Sequence, residues 1–311
     1  MKNIHRKLAI IIKLFITIIL LYYLFKNADI NIIKANLSLL SISTIISALI
    51  YLSIQIFLTA YRLEIILKIL NIKITYPILL KINYIGQFFN QTLPSTVGGD
   101  AVRLIYIKNN NVSWLNSVCS IFYDRYVGLL SLFLIISLFL PSIYEVLDNN
   151  LIFKTIFFLT ICGLASVLII IFSNKALYFF NYPFFRKIKT VLSHGKTILF
   201  SKYETLKIFL TSITIHLLGI LAIYSLSCDF EMNLGYFDFL IIMPFVFLFS
   251  SLPISIAGWG TRESAIVYLL GLMNINSSDS LILSVTFGIM IMIAGLPGSL
   301  LLNLTKKHNR K

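Results

Sequence analysis

Runs of isoleucine, leucine and phenylalanine long enough to cross a bilayer recur along nearly the whole chain. A membrane-crossing helix needs about 20 mostly apolar residues. On that measure the apolar windows predict spans near 8–25, 39–60, 115–140, 152–172, 207–227, 238–252 and 279–302. Two segments break the pattern. Residues 76–93 are moderately apolar but run into "LPSTVGGDAVR", and 264–273, "SAIVYLLGLM", is too short to span alone. With the N-terminus inside, the count of spans works only if both are half-helices or re-entrant hairpins, or pair with a neighbour. The predicted fold class is all-α: a polytopic helical membrane protein of about seven to nine segments, two of them broken or re-entrant in a pseudo-repeat. It is expected to form a single integral membrane domain over 1–311.

The two breaks match. At a constant offset of 159 residues, "LPSTVGGDAVR" falls on "LPISIAGWGTR". Leu93, Pro94, Gly99 and Arg103 pair with Leu252, Pro253, Gly258 and Arg262, and Thr96 and Val97 pair with Ser255 and Ile256. The motif copies occupy 89–107 and 249–270 of a chain with only seven prolines. Proline cannot continue a helical ladder, and glycine lets the backbone turn or approach another group closely. Broken helices in corresponding places of two halves point to a transporter's binding site. The expectation is that Pro94 and Gly98-Gly99 open a polar site with Asp100 and Arg103 at its edge. Pro253, Gly258, Arg262 and Glu263 would complete it from the second copy.

Charge refines the picture. The chain is 58% hydrophobic and 12% charged, with a net charge of +14. Such a balance could suggest a nucleic-acid binder, but the basic residues crowd the ends and the loops between apolar runs, and no soluble domain exists to read DNA or RNA. Lys2, Arg6, Lys7 and Lys13 lie at or before the start of the first span, and Lys306, Lys307, Arg310 and Lys311 follow the last. From Asn174 through Lys207 there are seven basic residues against Glu204 alone, whereas 141–151 and 228–238 hold five acids and no lysine or arginine. Basic loops belong inside, so both termini are expected to be cytoplasmic in a multi-pass protein of the plasma (inner) membrane. The stretch 174–206 alternates Ile188, Val191, Leu192, Ile198 and Leu199 with lysines and Arg186. That is either an amphipathic helix on an anionic leaflet or an ordinary positive loop.

Asp124 and Arg125, in "CSIFYDRYVGLL", add charge to a long apolar run. Ionisable residues at membrane depth are costly and mark function, or else glue helices as an internal ion pair. Arg62 and Glu64 look interfacial, just past the second span, and His216 is expected to make a helix-to-helix hydrogen bond. Cys119, Cys162 and Cys228 form no metal motif, and no Walker lysine follows Gly98-Gly99, so neither a metal nor any other cofactor is expected.

The pair "LPSTVGGDAVR" and "LPISIAGWGTRESA" resembles the signature of the lysylphosphatidylglycerol synthase membrane-region family, over nearly the whole chain. In larger family members this region moves aminoacylated phosphatidylglycerol between leaflets, and a separate cytosolic domain attaches the amino acid. This chain stops at "LLNLTKKHNRK", so the resemblance implies a stand-alone member and lipid translocation, not lysyl transfer. The expected partners are membrane phospholipids, anionic ones first, with the oligomeric state left open. Two alternatives remain. One is a membrane-embedded transferase using Asp100, Asp124 or Glu263 as general base. The other is a non-catalytic partner of a lipid- or glycan-synthesis enzyme.

Overall fold

The computed structural model describes residues 2–26, 28–93, 97–147, 151–176, 183–230, 232–252 and 254–308. Among them fourteen helices form and no strand. In order they are α1 (Lys2–Lys26), α2 (Ile30–Leu39), α3 (Ile42–Ile69), α4 (Tyr76–Thr92), α5 (Gly98–Lys108), α6 (Trp114–Leu138) and α7 (Leu140–Leu147). There follow α8 (Leu151–Ala176), α9 (Pro183–Leu199), α10 (Tyr203–Cys228), α11 (Tyr236–Ser251), α12 (Thr261–Gly271), α13 (Ser277–Gly295) and α14 (Pro297–His308). Pro94 and Pro253 of the two breaks lie outside the described residues.

The punctuation is local chemistry. Pro183 and Pro297 open their helices and Pro77 and Pro141 stand second, where a missing amide costs nothing. Ser113 caps α6 by accepting from the Asn116 amide at 3.3 Å, and Asn276 caps α13 by accepting from the Ser278 amide at 3.0 Å. Asp29 does the same for α2 through the Asn31 amide at 2.8 Å.

Five segments are long and apolar enough to cross a membrane: α3, α6, Phe153–Phe172 of α8, α10, and Ser277–Leu302 across α13 and α14. A sixth forms if α1 and α2, bent at the break between them, count as one. The sequence window at 238–252 becomes α11, only 16 residues long, and α12 follows it after a short break. This is a polytopic all-α membrane protein. The most apolar window of α13 is 61% buried and that of α8 only 17%, so α13 is a core helix and α8 presents most of its surface outward.

The helices recur in order. Helices α1 to α6 have lengths of 25, 10, 28, 17, 11 and 25 residues, and α8 to α13 have 26, 17, 26, 16, 11 and 19. Shifted by 159, the last residue of α3, Ile69, falls on Cys228, the last of α10. Likewise Thr92, which ends α4, falls on Ser251, which ends α11. The match first visible in eleven residues thus extends over two six-helix halves, with α7 between them.

Packing divides the chain differently, into two compact units. One comprises Met1–Ile56, Asn83–Val102 and His216–Lys311. In it α12 packs between α11 and α13, with α1 against α12 and α2 against α13. Phe239, Phe287, Ile266 and Leu283 are among its buried residues. The other comprises Phe57–Ile82 and Arg103–Ile215. Leu63, Leu67, Leu79, Ile82 and Ile107 fill one of its cores. A second holds Ile66, Tyr123, Val127, Ile170, Ile198 and Ile208.

Candidate functional site: buried arginine–carboxylate groups

The first break is held by backbone proximity. The Gly99 amide donates to Asn90 Oδ1 at 2.9 Å, which closes α5 back onto α4. A methyl group on Gly99 would overlap the Gly86 carbonyl and the Asn90 side chain, and one on Gly98 would lie 2.7 Å from Leu93 Cβ. Only glycine lets two helix backbones approach this closely. Asp100 sits in the first turn of α5, where a carboxylate complements the helix N-terminus, and is buried.

One turn further along α5, Arg103 is 4% exposed. Its Nη2 donates to Asp124 Oδ2 at 2.9 Å, while Arg62 Nε donates to Asp124 Oδ1 at 2.8 Å. Arg62 also donates from Nη1 to Ser212 Oγ at 3.0 Å, and that hydroxyl donates to the Ile208 carbonyl at 2.8 Å. Gly128, one turn after Asp124, leaves room for the Arg62 guanidinium: a methyl there would stand 3.4 Å from Nη1. Helices α3, α5, α6 and α10 therefore each contribute one group. Asp124 is 1% exposed, and a carboxylate so buried is tenable only because both its oxygens meet a guanidinium.

The second break solves its backbone differently. Ala257, Gly258 and Gly260 take φ of 52°, 82° and 88°, the left-handed region that glycine enters without steric cost. The Ile256 amide donates to Thr17 Oγ1 of α1 at 3.1 Å, and the Ser255 and Thr261 hydroxyls lie 2.9 Å apart. These bonds satisfy backbone and side chains that the interrupted helix releases. Glu263 then closes α12: its Oε2 accepts from the Gly260 amide at 2.5 Å. Its Oε1 accepts from Arg262 Nη2 at 2.5 Å and Nε at 3.1 Å, with the Ser284 hydroxyl at 3.4 Å. The Arg262 guanidinium also lies over the Trp259 ring, 4.9 Å from its centre, and against Gly288, where a methyl would overlap it. Arg262 is 5% exposed and Glu263 fully buried.

Several pairings expected from the sequence therefore change partners, which is where tertiary packing decides. Asp124 and Arg125 are neighbours along the chain but not in this ion pair: Asp124 is buried and Arg125 exposed, because successive residues of a helix diverge by about 100°. Arg62, read as interfacial, is instead a buried partner of Asp124. The predicted span ended at 60, whereas α3 continues to Ile69 and carries Arg62 inside. Glu64, two residues on, is partly buried and accepts from exposed Lys68 at 3.0 Å. His216 stacks at an angle near Phe247, ring centres 6.3 Å apart. Gly99 and Gly258, aligned as equivalents, do different things: one permits close packing inside a helix and the other permits a left-handed turn. The motif arginines also occupy different places, sixth in α5 and second in α12. Among the described residues no cluster of three or more His, Cys, Asp or Glu could hold a metal ion.

Apolar spans, two helix–break–helix elements and an arginine buried against a carboxylate after each break define a class: multi-pass α-helical membrane proteins with charged groups sequestered at discontinuous helices. The chain belongs to the family described as the lysylphosphatidylglycerol synthase TM region, whose model matches residues 10–298. It is thus a membrane protein of a family involved in lipid handling. No curated protein matches the chain.

Proposed function

We propose that the protein translocates a phospholipid or a lipid-linked headgroup, anionic ones preferentially, between the leaflets of the plasma membrane. The observation that carries this reading is the recurrence of a buried, carboxylate-paired arginine just past each helix break. A guanidinium forks onto phosphate with the same two-donor geometry it uses for a carboxylate. A buried arginine can therefore pass from its internal acid to a headgroup phosphate without ever facing hydrocarbon alone. The positive end of the helix dipole at each half-helix N-terminus adds anion affinity. In this reading Gly98, Gly99, Asp100, Arg103, Asp124 and Arg125, with Pro94, serve the headgroup at the first break. Gly258, Arg262 and Glu263, with Pro253, serve it at the second. Movement requires no chemistry on the lipid, so the reading needs no cofactor.

The test is a scrambling assay on vesicles of phosphatidylcholine and phosphatidylglycerol carrying a fluorescent phosphatidylglycerol, with Arg103→Lys and Arg262→Lys normalised to folded protein. Lysine keeps the charge and loses the fork. A hydrogen bond to a charged group contributes about 1.5–3 kcal/mol, so each variant is expected to slow transport by roughly tenfold or more. Rates equal to the unmodified protein in both variants would reduce the arginines to structural ion pairs. Appearance of a new lipid species in the vesicles would replace translocation with transfer chemistry.

A further inference from the structure

Helix α9 is seated by one face. Val191, Leu192, Ile198 and Leu199 pack into the core that holds Tyr123 and Ile170. Gly195 lies so close to the Tyr123 ring that a methyl would overlap its hydroxyl, and that hydroxyl donates to the Val191 carbonyl at 2.8 Å. The other face presents Lys187, Lys189 and Lys196, all exposed, and the helix contains no acidic residue.

Beside this seat α6, α8 and α9 leave a cavity of about 330 Å³, within the size range of small-molecule sites. Phe122, Tyr126, Ser166, Ile169 and Lys187 are among the residues that line it. The hydroxyls of Tyr126 and Ser166 lie 2.8 Å apart and satisfy each other, so the wall offers a guest almost pure hydrocarbon. Phe122 and Ile169 are 51% and 67% exposed, which opens the cavity sideways between two membrane-crossing helices. A side opening at that place faces acyl chains. The charged side chain on its wall, Lys187, is cationic.

We propose that this cavity is a binding site for an acidic phospholipid, with one acyl chain in the slot and the headgroup phosphate against Lys187. Apolar volume and basic rim together select a lipid over a soluble anion, and an anionic lipid over a neutral one. The site lies within one packing unit and uses neither motif arginine, so it stands or falls apart from translocation.

The experiment reconstitutes the full chain into phosphatidylcholine vesicles containing a trace of phosphatidylglycerol or phosphatidylcholine with a photoactivatable acyl chain. Crosslinked peptides are mapped by mass spectrometry. The acidic probe is expected to label the α6, α8 and α9 peptides that line the cavity roughly fivefold more than the neutral one, the factor one lysine contributes near an anionic headgroup. Lys187→Gln, a change at an exposed side chain, should erase the preference while elution and melting stay unchanged. Ile169→Trp, which plugs the opening, should lower labelling by both probes. Equal labelling by the two lipids, a preference that survives Lys187→Gln, or labelling only elsewhere would each overturn the proposal. Should Ile169→Trp fail to fold, the Lys187→Gln comparison still decides.

Discussion

Asp124 accepts from Arg62 and Arg103 at once, so the three residues do not tolerate replacement equally. Removing the carboxylate leaves two guanidiniums facing each other in a dry interior, and breaking a buried pair this way costs about 3–5 kcal/mol. Asp124→Ala is therefore expected to lower the unfolding free energy in detergent by that amount. Arg125→Ala, one residue on but exposed, should cost at most about 1 kcal/mol, the usual contribution of a solvent-screened charge. Equal stabilities for Asp124→Ala and the parent would mean that Asp124 does not hold the helices together. Part of this group was legible in the sequence. Arg103 and Asp124 stood out as charges inside apolar runs, and both are buried. Their partners were not legible, because Arg62 is 62 residues from Asp124 and Arg103 is 21 residues away. A side chain's face on a helix is local information. Which helix that face meets is set by packing, and Arg62 was misplaced because hydropathy ended α3 too early.

At the scale of the element, α4–α5 and α11–α12 follow one plan with two backbone solutions. The leading helices end in register across the repeat. At the same offset the start of α5, Gly98, falls on Ala257, whereas α12 begins at Thr261, about one turn later. The stretch between those two positions is where the second copy places its left-handed conformations. The sequence motif revealed both breaks but not this shift, since identical prolines and glycines fit either path. The glycines should respond accordingly. Gly99→Ala forces a methyl into the Gly86 carbonyl, an overpacking cost of about 1–3 kcal/mol. Gly258→Ala has nothing nearer than 3.6 Å but holds a left-handed residue, a cost of about 1–2 kcal/mol. Gly271→Ala, with nothing within 4 Å, should be neutral or raise stability by up to about 1 kcal/mol. Thermal unfolding of the three variants checks the order. A Gly271→Ala loss as large as that of Gly99→Ala would discount the packing argument.

For the whole molecule, the six-helix repeat makes a claim about sidedness that neither break makes alone. Within one half, α3 and α6 are long and apolar enough to cross, and α1 with α2 makes a third if the bent pair is one span. The expectation is that α4–α5 enters and returns. Three crossings are odd, so on this count the second half, α8 to α13, would begin on the opposite side and be inverted relative to the first. With the bent pair counted as one span, six crossings in all would return the C-terminus to the side of the N-terminus. The charges agree with this count. If the N-terminus is cytoplasmic, Lys68, Lys73, Lys108, the lysines of α9 and those after Leu302 fall inside. Glu145, Asp229, Asp238 and Asp279 fall outside, with Lys26, Lys34 and Lys154 as the exceptions. The decisive positions are equivalent connections, the one from α5 to α6 and the one from α12 to α13, which an inverted repeat places on opposite faces. Asn110 and Ser277 are exposed positions for a single cysteine there, in a chain with Cys162 and Cys228 replaced by serine. An impermeant maleimide is expected to label Ser277→Cys on intact cells and Asn110→Cys only after the membrane is opened. Labelling of both from one side would mean that an odd number of crossings does not separate the halves, and the repeat would then be parallel rather than inverted.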